Sequence, residues 1–312
     1  TGRNPAYILT KDVAQQLIRQ EPKNEDIIKP YLNGKDVKPY YSSSKFYIIF
    51  PYKENKEKCQ LELVDIEDYP LVKKYLEQFK DELKARAIIK DGLENGSKVW
   101  YEYQQVNKSF SFDKTYITYP DIANRSCFAL SKGNVLDMTL FWIETPDPYR
   151  ELAILNSSIF NFLFNLISTD ARGGYKRFKT VFMAKIPYVD AVGDSEIADL
   201  VKESMELSDK ETQIENKVVS FIVKKFGIKT VNQKIEEWYI TSLEDLLKEF
   251  KKQKIKLSQI DEFNFNEFIE QKKDELEQIN KYWNSIHKKL DEKVTSLYGI
   301  TVEEKQMILS NL

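Results

Sequence analysis

LAILNSSIFNFLFNLISTDARGGYKRFKTVFMAKIPY, residues 152–188, joins a long apolar run to a cationic loop around two glycines. Leu155, Ile159, Phe162, Leu163 and Leu166 recur at helical spacing, and Ile154, Phe160, Phe164 and Ile167 fill much of the opposite side. That pattern predicts one buried helix over 152–167. Polarity then inverts: Arg172, Lys176 and Arg177 surround Gly173, Gly174 and Tyr175, with Lys179 just beyond, and a strand-like run is expected to continue to Pro187. Paired glycines let a backbone approach a ligand closely, the cations suit phosphate or a base edge, and Tyr175 offers a flat face for stacking. The bland reading is a tight turn with solvated cations, and one loop alone does not separate the two.

Working outward, a chain of 312 residues with 42% hydrophobic residues can build a large core in one or two domains. Thr1 is not a start methionine and no signal pattern follows, so the sequence reads as an excised fragment with something before it. The 152–167 segment is short for a bilayer span and carries Asn156, Asn161 and Asn165, so no membrane segment is expected. Cys59 and Cys127 form no CxxC, which fits a reducing cytoplasm. Net charge is −2, but residues 1–190 hold 28 Lys+Arg against 25 Asp+Glu, and residues 191–312 hold 19 against 24. Every arginine, namely Arg3, Arg19, Arg86, Arg125, Arg150, Arg172 and Arg177, precedes residue 190. If one part grips a polyanion, it is the first.

Along the first part, a turn and short strand at 1–9 lead to a helix from about Asp12 to Pro22. Pro30, Gly34 and Pro39 forbid a long element over 27–41, with Gly34-Lys35-Asp36 read as a structural turn, and Phe46–Phe50 reads as a buried strand. Pro70 opens an amphipathic helix carrying Val72, Tyr75, Phe79 and Leu83. Strands are expected at 116–119, 127–130 and 139–143. Beyond Pro187 and Gly193 the texture turns to Glu/Lys-rich helical runs, 197–226 and 263–297, predicted to bury Trp238, Phe250, Trp283 and Leu297.

What is missing narrows the chemistry. The one histidine, His287, reads as a surface residue on a charged helix, so histidine–metal sites and Ser-His-Asp triads lack parts. No GxG or GxxxxGK[ST] occurs, and neither Pro120-Asp121 nor Pro146-Asp147 is followed by the acid-x-Lys of metal-dependent nucleases. Asn4-Pro5-Ala6-Tyr7 only approximates the Asn-Pro-Pro-Tyr with which amino-methyltransferases hold a flipped base.

Taken in order, TGRNPAYIL, KPYLNGKDVKPY, WYEYQ, TYITYPDI with CFAL, AILNSSIFNFLFN with the Gly-Gly loop, KIPY and the closing LDEKVTSLYGITVEEKQMIL resemble the TaqI-like C-terminal specificity domain. Where relatives continue the Trp-Tyr segment into Gly-Arg, this chain has Gln104, Gln105 and Val106. The resemblance implies a target-recognition role behind an adenine-specific DNA methyltransferase domain, in a modification enzyme or a single-chain type II restriction-modification enzyme. The expectations are therefore an α+β, mixed α/β target-recognition domain over 1–190 and a helical hairpin or small bundle over 191–312. Duplex DNA would be the partner, met by Arg172, Gly173, Gly174, Tyr175, Lys176, Arg177, Lys179 and Arg125, with Arg3 and Asn4 facing the preceding domain. No catalytic group or cofactor is expected in this chain; S-adenosylmethionine, and magnesium if a nuclease is attached, would belong to the rest of the enzyme. The rival reading is a protein-interaction module that docks a methyltransferase or restriction subunit through its C-terminal helices.

Overall fold

The computed structural model describes residues 4–189 and 194–310, without the side chains of Asn4 and Arg172; Arg3 and Gly193 lie outside the described residues. The strands are β1 (Ile8–Thr10), β2 (Ile28–Leu32), β3 (Val37–Lys38), β4 (Tyr41–Ser42), β5 (Phe46–Ile49), β6 (Tyr52–Asn55), β7 (Gln60–Leu63), β8 (Thr115–Pro120), β9 (Ile122–Ala123), β10 (Ala129–Lys132), β11 (Val135–Leu136), β12 (Leu140–Ile143) and β13 (Lys176–Arg177). All lie in the first of two compact units, residues 1–156 with 160–187; the second takes 157–159 with 188–312. Sheet and helix mix in the first unit, and long helices dominate the second.

In the first unit one sheet has the order β1-β5-β2-β11 and another the order β10-β8-β12. Pro30 sits inside β2, opposite Tyr47 of β5, one residue before the Tyr31 and Leu32 that pair with β11. A residue without an N–H is tolerated there because one side of the strand is still unpaired. The helix Lys11–Gln20 starts a residue before the expected Asp12, because Thr10 is its cap and accepts from the Val13 N–H. Pro70 opens Pro70–Glu77 as predicted, but the helix breaks at Gln78 and resumes at Lys80–Lys84, burying Leu76 and Leu83.

The aromatic segment after Val99 belongs to the core. Tyr103 donates its hydroxyl to the Ile49 carbonyl at 2.6 Å and its N–H to the Tyr52 hydroxyl at 2.8 Å. Tyr7, fully buried, meets the Tyr103 ring edge-on at 5.0 Å and donates to the Tyr101 carbonyl. Burial pushes its phenol up to about 12. The tyrosine of the Asn-Pro-Ala-Tyr echo is thus a packing residue.

Two expectations about residues 152–188 are corrected. The 152–167 helix is two helices, Pro148–Leu155 and Ser158–Ile167. The break falls at Asn156, whose side chain accepts from the Phe128 N–H at 3.0 Å and donates to the Phe128 carbonyl at 2.9 Å, a bond pair that offers the chain an alternative to helix. Burial is also one-sided: Phe160 and Phe164 are enclosed, whereas Leu166 is 67% exposed. The strand expected to reach Pro187 stops after Arg177 and gives way to a helical turn, Thr180–Met183. Phe178 ends it by turning into the core, its N–H held by the Asp121 carbonyl at 2.7 Å.

In the second unit Ser195–Phe226 and Gln259–Leu297 are long helices, capped by Asp194 and Ser258. The first ends at Gly227, whose φ of 66° is the left-handed cap that glycine supplies without strain. Their core gathers Val218, Ile222, Ile235, Leu246, Phe265 and Ile269 around Trp238 and Phe250, both buried as expected. Trp283 and Leu297 are only half-buried. Trp283 donates to the Ser208 hydroxyl at 3.1 Å and stacks on His287 at 3.4 Å, so the histidine is half-buried under an indole and is not the surface residue expected. Among the described residues no helix is long and apolar enough to cross a membrane.

Candidate nucleic-acid interface

The Gly-Gly loop is built on a two-residue ladder. Strand β13 pairs antiparallel with β9, Lys176 opposite Ala123 and Arg177 opposite Ile122. Side chains alternate across a strand, so Tyr175 and Arg177 share the face of Ile122, and Lys176 shares the opposite face with buried Ala123. The exposures follow. Lys176 keeps 18% of its side chain exposed and is folded onto Asp170, Nζ to Oδ1 at 2.5 Å. Arg177 keeps 43%, touching the Asp121 carboxylate at 3.3 Å. Gly173 and Gly174, with φ of 72° and 78°, turn the chain into this ladder.

Aromatic packing fixes the ladder from below. Phe178 stacks on Phe164 with ring centroids 4.2 Å apart and planes within 7°, and meets Phe128 edge-on. Asn161 accepts from the Ser126 N–H, tying the turn after β9 to the same helix. Loop and turn therefore rest on one rigid support, as a positioned site requires.

Above that support lies a cleft of about 660 Å³ whose lining includes Lys35, Lys38, Asn124, Arg125 and Tyr175. The Gly34–Asp36 turn is held by reciprocal capping: Asn33 Oδ1 accepts from the Lys35 N–H at 2.9 Å, and Asp36 Oδ2 accepts from the Asn33 N–H at 3.0 Å. Two acids also line the cleft, but both have donors. Asp121 is engaged by Arg177, and Asp137 accepts from the Tyr31 hydroxyl at 2.7 Å and the Thr139 hydroxyl at 2.8 Å. Lys35 and Arg125 have no ion pair among the described residues, so the available charge in the cleft is positive. The Cys127 thiol on the wall is pushed up to about 11 by burial, against the pull of Arg125, and stays a thiol at neutral pH. A second hollow in this unit, about 840 Å³, is walled by Phe50, Phe110, Phe112 and Trp142 and carries no lysine or arginine.

Of the residues singled out from sequence, Arg125, exposed, and Tyr175, 44% exposed, come together in the cleft. Arg177 lies on the Tyr175 face of the ladder, and Lys179 is exposed at the start of the Thr180–Met183 turn. Lys176 points away and is paired, and the Arg172 side chain lies outside the described residues. The cleft also takes in Lys35, which the sequence reading placed in a structural turn, and Lys38 and Asn124, which it did not single out. The signal for the lysines was present in KPYLNGKDVKPY, where Lys35 lies within the capped turn and Lys38 follows it. The arginine asymmetry was in part structural: Arg86, 6% exposed, donates to the Leu83 and Trp100 carbonyls at 2.8 Å, and Arg150 pairs with Asp147. Among the described residues no cluster of histidine, cysteine or carboxylate could hold a metal ion.

Comparison with known proteins gives two family matches. The TaqI-like C-terminal specificity domain matches residues 29–188, which contain the whole cleft and ladder. A domain of unknown function (DUF8810) matches residues 192–294. Among solved structures, the type IIL restriction-modification enzyme MmeI in complex with DNA aligns at 13% identity with a TM-score of 0.46, over 98% of this chain and 34% of that one. The chain thus spans about a third of that enzyme's length.

Proposed function

We propose that this chain, which belongs to the TaqI-like C-terminal specificity domain family, reads a short sequence of duplex DNA as the specificity part of a restriction-modification enzyme. The observation that carries the reading is the convergence, in one cleft of the matched segment, of Lys35, Lys38, Arg125 and Tyr175, with Arg177 on the adjoining ladder face. Lysines on phosphates supply affinity and register without sequence information, whereas an arginine fork on a base edge supplies discrimination. The division of labour in this reading is a recognising part over 1–190 and a supporting helical part over 191–312. Methyl transfer or cleavage would belong to the other domains of an adenine-specific methyltransferase or type II restriction enzyme, which would bring S-adenosylmethionine and, with a nuclease, magnesium.

The test is binding of the whole chain to labelled duplexes across a range of salt. Saturable binding that weakens steeply with salt, and weakens further in Lys35→Ala and Arg125→Ala, is the expected result. Duplex binding absent even at low salt would overturn it. The rival, docking of a protein subunit, is favoured by Ile260 and Phe263, 73% and 60% exposed at the start of the Gln259–Leu297 helix.

A further inference from the structure

The pair formed by Arg177 and Asp121 has a donor–acceptor order that matches one base pair. Asp121 is fixed through its backbone on two sides, its N–H bonded to the Thr139 carbonyl at 2.9 Å and its carbonyl accepting from Phe178 at 2.7 Å. Its Oδ2 takes one bond from Arg177 Nη1 at 3.3 Å, and its Oδ1 is shielded from water with no donor among the described residues. Oδ1 is thus out of a ligand's reach, and the acceptor on offer is Oδ2, which keeps lone-pair capacity beside its one bond from Arg177 on a side chain 26% exposed. Arg177 has five N–H donors in a planar fork, spends one contact on Asp121, and stays 43% exposed. Its neighbour shows what a purely structural cation looks like here: Lys176 is folded down on Asp170 and lies 3.5 Å from the Asn165 carbonyl.

We infer that Arg177 and Asp121 together read a G·C pair through the major groove, Arg177 donating to guanine O6 and N7 and Asp121 accepting from the N4 amine of the paired cytosine. This rests on the duplex-binding reading above and names the pair that confers specificity. The chemistry is restrictive. In the major groove guanine shows two acceptors beside the cytosine donor, and adenine puts its N6 donor where the arginine fork needs an acceptor. Asp121 has a dual part: it orients the guanidinium, which lowers the cost of fixing a long side chain, and it contributes the acceptor.

Selection of bound duplexes from a randomised library decides it, run with the whole chain as wild type, Arg177→Lys, Arg177→Ala, Asp121→Asn and Asp121→Ala, each checked for an unchanged thermal transition. The wild type should yield a motif with a fixed G·C position. Arg177→Lys, which keeps the charge but not the fork, should lose roughly tenfold preference at that position and leave the preference at other positions of the motif in place. Asp121→Asn, isosteric and able to offer an N–H₂ toward the cytosine amine, should do the same, and it carries the test if Asp121→Ala fails to fold. Variants that all retain the wild-type motif would make the pair structural and overturn the inference while leaving duplex binding in place. No duplex binding by the wild type would remove the proposed function as well.

Discussion

Cations line the cleft and crowd the helical unit, and several of them are held differently. On the helices Lys248 sits 2.8 Å from Glu244 and 3.3 Å from Asp245, Lys281 is 2.6 Å from Glu277, and Lys272 is 2.6 Å from Glu275. These are one-turn neighbours on exposed faces, the usual way a Glu/Lys helix satisfies itself. In the cleft, Lys35 and Arg125 have no acid partner among the described residues, and neither has Lys179, exposed just after the ladder. Lysines without an ion pair among the described residues occur on the helices too, Lys210, Lys217, Lys224 and Lys289 among them, so what sets the cleft apart is that its unpaired cations converge on one hollow beside an aromatic ring. What a polyanion meets is the fraction of cations not already neutralised by a neighbour one helical turn away.

The largest effects are expected from removing the support of each region. Phe178→Ala deletes a fully enclosed ring from under the ladder, and Trp238→Ala deletes the fully buried indole of the helical core. Each should lower stability by about 3–5 kcal/mol in urea unfolding. Their consequences for duplex binding should separate: the folded fraction of Phe178→Ala should bind weakly, and that of Trp238→Ala should bind as wild type. Equal loss in both would mean that the cleft does not carry binding by itself.

Much of the architecture was legible because it is periodic. The long helices Ser195–Phe226 and Gln259–Leu297, the strands β8, β10 and β12, and the Pro70 helix start all announce themselves by spacing and punctuation. The site was legible only in part, for reasons that particular residues make plain. Asn156 looks like one polar residue in an apolar helix, yet its amide bonds Phe128 across 28 positions of sequence, which no local pattern encodes. Lys176 and Arg177 look equivalent in sequence, and strand alternation on β13 sends them to opposite faces. Lys35 and Lys38 lie far from the loop in sequence and join Tyr175 in the cleft only through the fold.

A smaller effect sharpens the contrast between free and paired cations. Arg125→Ala and Lys35→Ala should each weaken duplex binding and reduce the slope of log K against log salt by about one unit. Lys281→Ala and Lys248→Ala should leave both quantities unchanged, since their charges are neutralised on the helix. Binding isotherms at four salt concentrations read this directly, and a comparable slope change in the helical variants would erase the distinction.

The smallest effect expected comes from one buried acid in each unit, and the two should respond to pH in opposite senses. Asp36, in the capped turn on the cleft wall, has its carboxyl raised by burial despite the Asn33 N–H and the charge of Lys45. The folded state then holds that proton more tightly than the unfolded chain does. The stability it contributes is full below the ordinary value near 4 and is lost as pH rises through the higher folded value. Glu249 in the helical unit is lowered, first by Lys252 at 2.7 Å and then by the Asn232 amide at 2.8 Å. Its contribution is present above the ordinary value and disappears only as pH falls through the lower folded one. Asp36→Asn, which keeps an acceptor for the Asn33 N–H, should therefore stabilise the protein relative to wild type at pH 7, with the gain shrinking toward pH 4. Glu249→Gln should destabilise at pH 7 and nearly as much at pH 5, with the loss shrinking as pH falls below the ordinary glutamate value of 4.5. Urea unfolding of both variants at pH 7, 5 and 4 measures the two trends. An Asp36→Asn difference that is constant over this range would show that burial does not govern Asp36, and that the turn on the cleft wall tolerates an ionised carboxylate as readily as the helical unit does.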